Sequence, residues 1–556
     1  MKALTYTLVL SAVLAGCLYV LFSFDGSEPP AVDRIDVHSV IGSRLAAVEK
    51  FNRSGLEKMT AEELLSSGRL LYNLWFAREA TQLYEQALAK DSTSLDACLM
   101  LMECYSDPLV CREDEARSSW QRARTLAAGR VADTLFVQAL GTLYIQADYK
   151  AAAQKFEALA RTGHRRNDTL YYLASAQLKM GDLKNAEKNL KRLLKADDSH
   201  GRAHELLIQC AVLSGAVDEA ESLAKALAAQ YSEEPFPYVL LSRIQALRGR
   251  PEGALSFCQN ALSLNPGYIP AILARGNLYV AQGEPEAARV SFEKLFLFDD
   301  PILSSIGSES IAFVDFLWGR FDEGAEMMDE AIRCAMLVGS VRRGLNFTSR
   351  LVDYLLQLGR SDQAEAVINR WFSGFGNVPN QLGNLKLYIF NGNMDAVRFV
   401  LEKSAHDSES MYWMRMLGID SEKVTALTLI KVRDYDRALK ILGGAENPQV
   451  KDEEYLYLRG YAAFEKGEAE LAAASFKGVL GCPSELEFPY HRNPVFYTQT
   501  LFYLAEAALA RGDQSEAADF YTRFLNYWDS TDWEILAVDR AREKLRTLRS
   551  KPADNQ

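Results

Sequence analysis

Histidine is scarce, with six in 556 residues, and none belongs to an H-E-x-x-H arrangement. His204-Glu205 begins one, but Ile208 stands where the second ligand is needed. His200, four residues before His204 and close to Asp197 and Asp198, reads as part of a polar turn rather than a cation site. The G-x-S-x-G elbow and the G-x4-G-K-[ST] phosphate loop are absent, and Gly374-Phe375-Gly376 follows no strand pattern that would make it a dinucleotide loop. The eight cysteines contain no C-x-x-C, which removes zinc ribbons and thioredoxin-like redox chemistry. Basic charge is in deficit: the formal charge is -12 and the pI about 5.3, which argues against nucleic acid as a partner. The basic run Arg540, Arg542, Lys544, Arg546, Arg549 and Lys551 reads as the solvated face of a last helix, where cations suit the helix dipole. No catalytic residue, cofactor site or metal site emerges.

What is present is a folded composition, 48% apolar and 24% charged, on a chain too long for one compact core. Met1-Lys2 precedes an uncharged apolar stretch from Ala3 to Phe24, long enough to cross a bilayer. Inside it Leu14-Ala15-Gly16-Cys17 resembles the lipobox of bacterial lipoproteins, which makes Cys17 the lipidation candidate. The apolar run continues past Cys17 to Phe24, so an uncleaved signal anchor is the rival reading. Either way Lys2 stays cytoplasmic and residue 25 onward is exported. Cys104 and Cys111 flank the turn Ser106-Asp107-Pro108, and the sequence leaves open whether they are bonded.

Internal periodicity is the strongest signal. Gly181, Gly215, Gly249 and Gly283 are spaced 34 residues apart, and Ala186, Ala220, Ala254 and Ala288 follow each glycine by five. Glycine fits where two helices reverse, and alanine fits where they cross most closely. A large residue four positions later, such as Leu190 or Phe292, returns to the same face. Neither helix of a pair buries its apolar face alone, so successive pairs must stack.

Gly276, Tyr279, Ala288 and Phe292, with Pro266 closing the preceding unit, resemble the tetratricopeptide-repeat pattern of G-x2-Y, A-x3-F and a late proline. The resemblance implies an all-α, right-handed superhelical solenoid of stacked helix pairs. Residues 1–24 are then a signal peptide with lipobox or a signal anchor, and 25–60 a linker and entry helix; the capping box Thr60-Ala61-Glu62-Glu63 opens the first repeat unit. A regular array covers 61–302, degenerate repeats 303–445, C-terminal repeats with an irregular insertion 446–528, and a capping helix and tail 529–556. The segment Asn493-Pro494-Val495-Phe496-Tyr497 with Gly512-Asp513 and Trp528 resembles final repeats of bacterial extracytoplasmic arrays.

The family resemblance implies a non-enzymatic scaffold for protein or peptide partners, membrane-anchored on the extracytoplasmic side of a bacterial envelope. The alternative is a sensory or assembly module for envelope glycan or polysaccharide machinery. The same resemblance implies a concave groove lined by the first helix of each pair: Tyr171, Ser175, Arg202, Glu205, Gln209, Phe236, Arg243, Leu273 and Asn277. Asn277 alone answers to the carboxylate clamp of chaperone-binding members, so that ligand is not expected. Alanine at Tyr171, Arg202, Phe236 and Arg243 is expected to weaken partner binding while leaving helicity intact.

Overall fold

The first pair begins at the expected capping box: the Thr60 hydroxyl accepts from the Glu63 amide at 3.2 Å, and the Glu63 carboxylate accepts from the Thr60 amide at 2.7 Å. In the computed structural model, residues 58–372, 380–405, 419–443, 453–481 and 493–550 are described, with 407, 410 and 414 singly. The apolar N-terminal stretch and Cys17 lie outside the described residues. Among the described residues no helix is long and apolar enough to cross a membrane, and no strand occurs.

Helices follow one another in antiparallel pairs. The first seven are α1 (Ala61–Asn73) with α2 (Ala77–Lys90), α3 (Leu95–Ser106) with α4 (Glu113–Ala127), α5 (Val131–Leu140, continued by a π turn) with α6 (Tyr149–Thr162), α7 (Arg166–Lys179) with α8 (Leu183–Ala196), α9 (Gly201–Leu213) with α10 (Val217–Gln230), α11 (Phe236–Leu247) with α12 (Pro251–Leu264), and α13 (Ile269–Gln282) with α14 (Pro285–Glu293). After a 3-10 turn come α15 (Pro301–Leu317) with α16 (Phe321–Leu337) and α17 (Val341–Gln357) with α18 (Ser361–Trp371). The weakly patterned region holds short α19 (Asn380–Gly383) and α20 (Leu385–Phe390), α21 (Met394–Ala405), and α22 (Ser421–Lys431) with α23 (Tyr435–Ile441). Then α24 (Glu453–Lys466) pairs with α25 (Ala469–Leu480), and α26 (Pro494–Ala510) with α27 (Gln514–Trp528). Last is α28 (Leu536–Ser550), the expected capping helix, which buries Val538, Ala541 and Leu545.

The lattice works as its chemistry suggests. Ala186, Ala220, Ala254 and Ala288 are fully buried at the helix crossings. Gly276 lies flat under the Phe292 ring, where a Cβ would come within 2.2 Å of ring carbon. The same turn position, five residues before the buried alanine, is taken by Trp75, Cys111, Ala147 and Arg433 before Ala80, Ala116, Ala152 and Ala438. All four non-glycine residues hold positive φ, from 49° to 66°. That conformation costs roughly 1–3 kcal/mol without glycine and persists only where surrounding contacts enforce it.

The array curls tightly around one helix. On α15, Ile302, Leu303 and every residue from Ser305 to Leu317 are buried, so it has no solvent face. Its apolar cluster receives Leu109 and Cys111 from the α3–α4 turn and Tyr497 and Tyr527 from the last pair. The C-terminus is also locked back onto the middle. Asp532 accepts from the amides of Phe321 and Asp322 at 3.0 and 2.9 Å, capping α16 from 210 residues away. Trp528 is fully buried and donates to the Phe316 carbonyl at 3.3 Å. The basic run on α28 is partly neutralised, with Arg540 paired to Glu506 and Arg542 to Asp529.

Candidate functional site

The turn between α1 and α2 is laid into the concave side of the array. Trp75 stacks on Phe236 at 4.2 Å between centroids and donates its indole N–H to Glu205 at 2.7 Å. Phe76 meets Tyr268, and Arg78 pairs with Asp300 at the start of α15. Gly201, at the first turn of α9, lets the Asn73 carbonyl approach so closely that a Cβ there would lie 2.4 Å from it. Arg202 donates to the Tyr72 carbonyl at 2.8 Å, lies over the Tyr72 ring at 3.8 Å and pairs with Asp107 at 3.3 Å.

Behind this contact Glu103, almost fully buried, accepts from the hydroxyls of Tyr144 and Tyr172 at 2.9 and 2.6 Å. Burial nevertheless raises its pKa, against those bonds and the Arg202 charge. Glu205 is raised by burial too, opposed by Arg202 and Arg243. His200 caps α9, accepting from the Ala203 amide at 3.2 Å, and burial lowers its pKa to about 4. Its neighbour His204 contacts the Asp198 carbonyl at 2.9 Å. Cys104 and Cys111 are both free thiols, and Cys111 Sγ lies 3.0 Å from the Ser340 hydroxyl.

The nine residues expected to line the groove are not equally open. Phe236 and Leu273 are 2% exposed, Tyr171 is 9% exposed beside His200, and Arg202 and Glu205 are engaged by the first turn. Ser175, Gln209, Arg243 and Asn277 remain half-buried. The expectation that Tyr171, Arg202 and Phe236 offer a free surface is thereby corrected: Tyr72 and Asp107 engage Arg202, Trp75 covers Phe236, and Tyr171 is buried against Tyr172 and His200. Sequence reasoning missed Trp75 as the covering group. Its signal was its place in the lattice, a tryptophan at the turn position that the regular units give to glycine.

Where the α3–α4 turn and the end of the α5 segment meet α15 and α17, a cavity of about 290 Å³ remains. Ile306, Phe347, Tyr144 and Ile145 supply apolar wall, and Arg117, Arg342, Arg343 and Arg350 surround it with Asn346, Glu113 and Glu309. Glu309 is bonded to Arg350, and Glu113 accepts from the Arg342 amide at 3.0 Å at the start of α17. Burial raises both carboxyls. Asn277 lines a small void next to this cavity, beside Glu309 and Arg350. Among the described residues no cluster of His, Cys, Asp or Glu has the makings of a metal site.

The stacked helix pairs and the left-handed turns set the comparison with known proteins. Tetratricopeptide-repeat family models match residues 171–235, 246–300, 424–485 and 499–531. These segments of the chain are tetratricopeptide repeats. Similar solved structures include a tetratricopeptide-repeat protein from Parabacteroides merdae at 16% identity, covering 42% of this chain and 91% of that one with a TM-score of 0.31. A thermophilic repeat protein of Thermus thermophilus is 26% identical over 34% of this chain and 99% of its own, with a TM-score of 0.29. Pseudomonas aeruginosa pilF is 17% identical over 38% and 94%, with a TM-score of 0.25. No curated protein matches the chain. The matched segments include most of α7, all of α8 to α10 and all of α12 to α14, while α11, whose Phe236 receives Trp75, falls almost wholly between two of them.

Proposed function

We propose that this tetratricopeptide-repeat protein is a non-enzymatic scaffold that gathers protein partners at a membrane, on the extracytoplasmic side of a bacterial envelope. The observation that carries the protein-binding part is the stack of helix pairs itself, which presents one extended, continuous surface built from many repeats. Ser175, Gln209, Arg243 and Asn277 are the residues of the concave side that keep partial exposure, and they are polar in the manner of an interface rim. The apolar stretch from Ala3 to Phe24, with Cys17 inside it, supports attachment by lipid or by an uncleaved anchor.

Photo-crosslinking residues placed at Ser175 and Gln209 of the full chain in its native membrane test the reading. Recovery of a discrete protein adduct, lost in competition with excess unlabelled chain, is the expected result. No adduct from either position, nor from a third on the outer face of α8, would remove the scaffold reading. Labelling by a fatty-acid probe that disappears in Cys17→Ala supports the lipoprotein form. An unlabelled wild type that retains Met1 supports the signal anchor.

A further inference from the structure

The cavity between the α3–α4 turn and α17 joins two regions far apart in sequence and differs in charge from the rest of the molecule. The protein carries a net charge of -12, yet four arginines face two glutamates around this space. Both glutamates are committed, Glu309 to Arg350 and Glu113 to the Arg342 amide and the Ser340 hydroxyl. Arg343 reaches three neutral oxygens: the Pro108 carbonyl, the Ser305 hydroxyl at 3.1 Å and the Ile302 carbonyl at 3.4 Å. Among the described residues neither Arg343 nor its exposed neighbour Arg342 has a carboxylate within ion-pair distance. Glu113 and Glu309 act on Arg343 only through space, and a half-buried guanidinium whose hydrogen-bond acceptors are all neutral is stabilised by an anion that completes its shell. Beside the charge, Ile306 and Phe347 are buried and Tyr144 and Ile145 half-buried, an apolar wall continuous with the polar one.

We infer that this cavity binds a small organic anion, a carboxylate carried on a compact apolar body, as a free molecule. The volume of about 290 Å³ is at the lower end of small-ligand sites. A polypeptide is disfavoured because the groove is closed alongside by the Asp107–Arg202 pair and, beyond it, by Trp75 on Phe236. The carboxylate sits against Arg343 and Arg342, and the apolar body against Ile306 and Phe347. The bound molecule spans the second and third helix pairs and α15 with α17, so occupancy tightens the closure of the superhelix.

The test uses the full chain in detergent with benzoate and phenylacetate as probes, their amides as neutral controls, and a tetrapeptide ending in phenylalanine as the polypeptide arm. Calorimetric titration is expected to show one saturable site for an acid, at least about tenfold tighter than for its amide, with a rise in unfolding midpoint as the site fills. Arg343→Gln should weaken the acid about tenfold, and Asn346→Trp, which fills the space, should abolish binding. Because Arg343 also holds Pro108, Arg342→Gln is the second variant: its exposed side chain can change without unfolding the site, and it should weaken the acid severalfold. Equal binding of acids and amides, undiminished binding by Asn346→Trp, or no acid binding at millimolar concentration would each overturn the proposal. So would binding of the tetrapeptide alone.

Discussion

Trp75 shows how a single side chain sets the shape of this array. Its left-handed backbone, φ 66°, costs roughly 1–3 kcal/mol, and its stack on Phe236 and bond to Glu205 outweigh that. Trp75→Gly should therefore destabilise by roughly 2–4 kcal/mol although it relieves the strain. Ala147→Gly, at the equivalent turn with φ 51° and only a methyl to lose, should stabilise by roughly 0–2 kcal/mol, the relieved strain less the entropy cost of glycine. Chemical denaturation of both variants checks the contrast, and equal changes would mean that the Trp75 side chain contributes nothing. A second residue-scale effect is electrostatic. Asp315 is fully buried between Arg289 and Arg320, and burial pushes its pKa to about 6 against those cations. The folded state therefore holds a proton that the unfolded chain, with a carboxyl near 3.8, releases. This group's penalty is full above about pH 6 and fades as pH falls towards 4. Relative to Asp315→Asn, the wild type should gain up to ~3 kcal/mol between pH 7 and 4, read as the difference in unfolding free energy. Parallel profiles would show that the carboxyl titrates normally.

Helices in this protein are fixed by their neighbours more than by their own sequences. Ala288, fully buried on α14 where it crosses α13, admits no larger side chain, and Ala288→Leu should cost roughly 1–3 kcal/mol through overpacking. An unchanged unfolding midpoint would show that the crossing lies elsewhere. The start of α16 depends on a residue from another part of the chain: Asp532 supplies the acceptors for its first amides. Asp532→Ala should cost roughly 1–2 kcal/mol and loosen α28, since Trp533, beside it, is bonded to Asp322 at 2.9 Å. Limited proteolysis in the 529–536 segment should accelerate, and a cleavage rate equal to wild type would separate the cap from the docking of α28.

Over the whole molecule the closure of the superhelix hangs on a few groove contacts. Arg202→Ala with Phe236→Ala removes the Tyr72 cation-π contact, the Asp107 pair and the seat of Trp75. Removing Arg202 leaves Asp107 without its cation and Glu205 with Arg243 alone, a further penalty beyond the lost packing. The double variant should stay helical, because each pair still stacks on the next, but its first pairs should swing out of the groove. Small-angle scattering should then report a larger radius of gyration at nearly unchanged circular dichroism. An unchanged radius would place the closing energy elsewhere, in the Arg78–Asp300 pair or the Arg343–Pro108 contact.

The local grammar of the chain was legible in its residues. The spacing from Gly181 to Gly283, the alanines five residues on, and the capping box at Thr60 each encode a short-range requirement: a left-handed turn, a close crossing, satisfied amides. Such requirements act within one helix pair or between neighbours, so a fixed period reveals them. Arg202, Glu205 and Phe236, which all meet the first turn, were legible as neighbours because helical periodicity assigns faces. Only the tertiary structure decided what covers that face. Asn73 on Gly201, Trp75 on Phe236 and Asp532 on α16 join residues 128, 161 and 211 positions apart. Contacts of that range depend on the accumulated curvature of every intervening pair. A small rotation per repeat, invisible in any one repeat, sums over the array to decide whether its groove stays open or closes on the chain's own first turn.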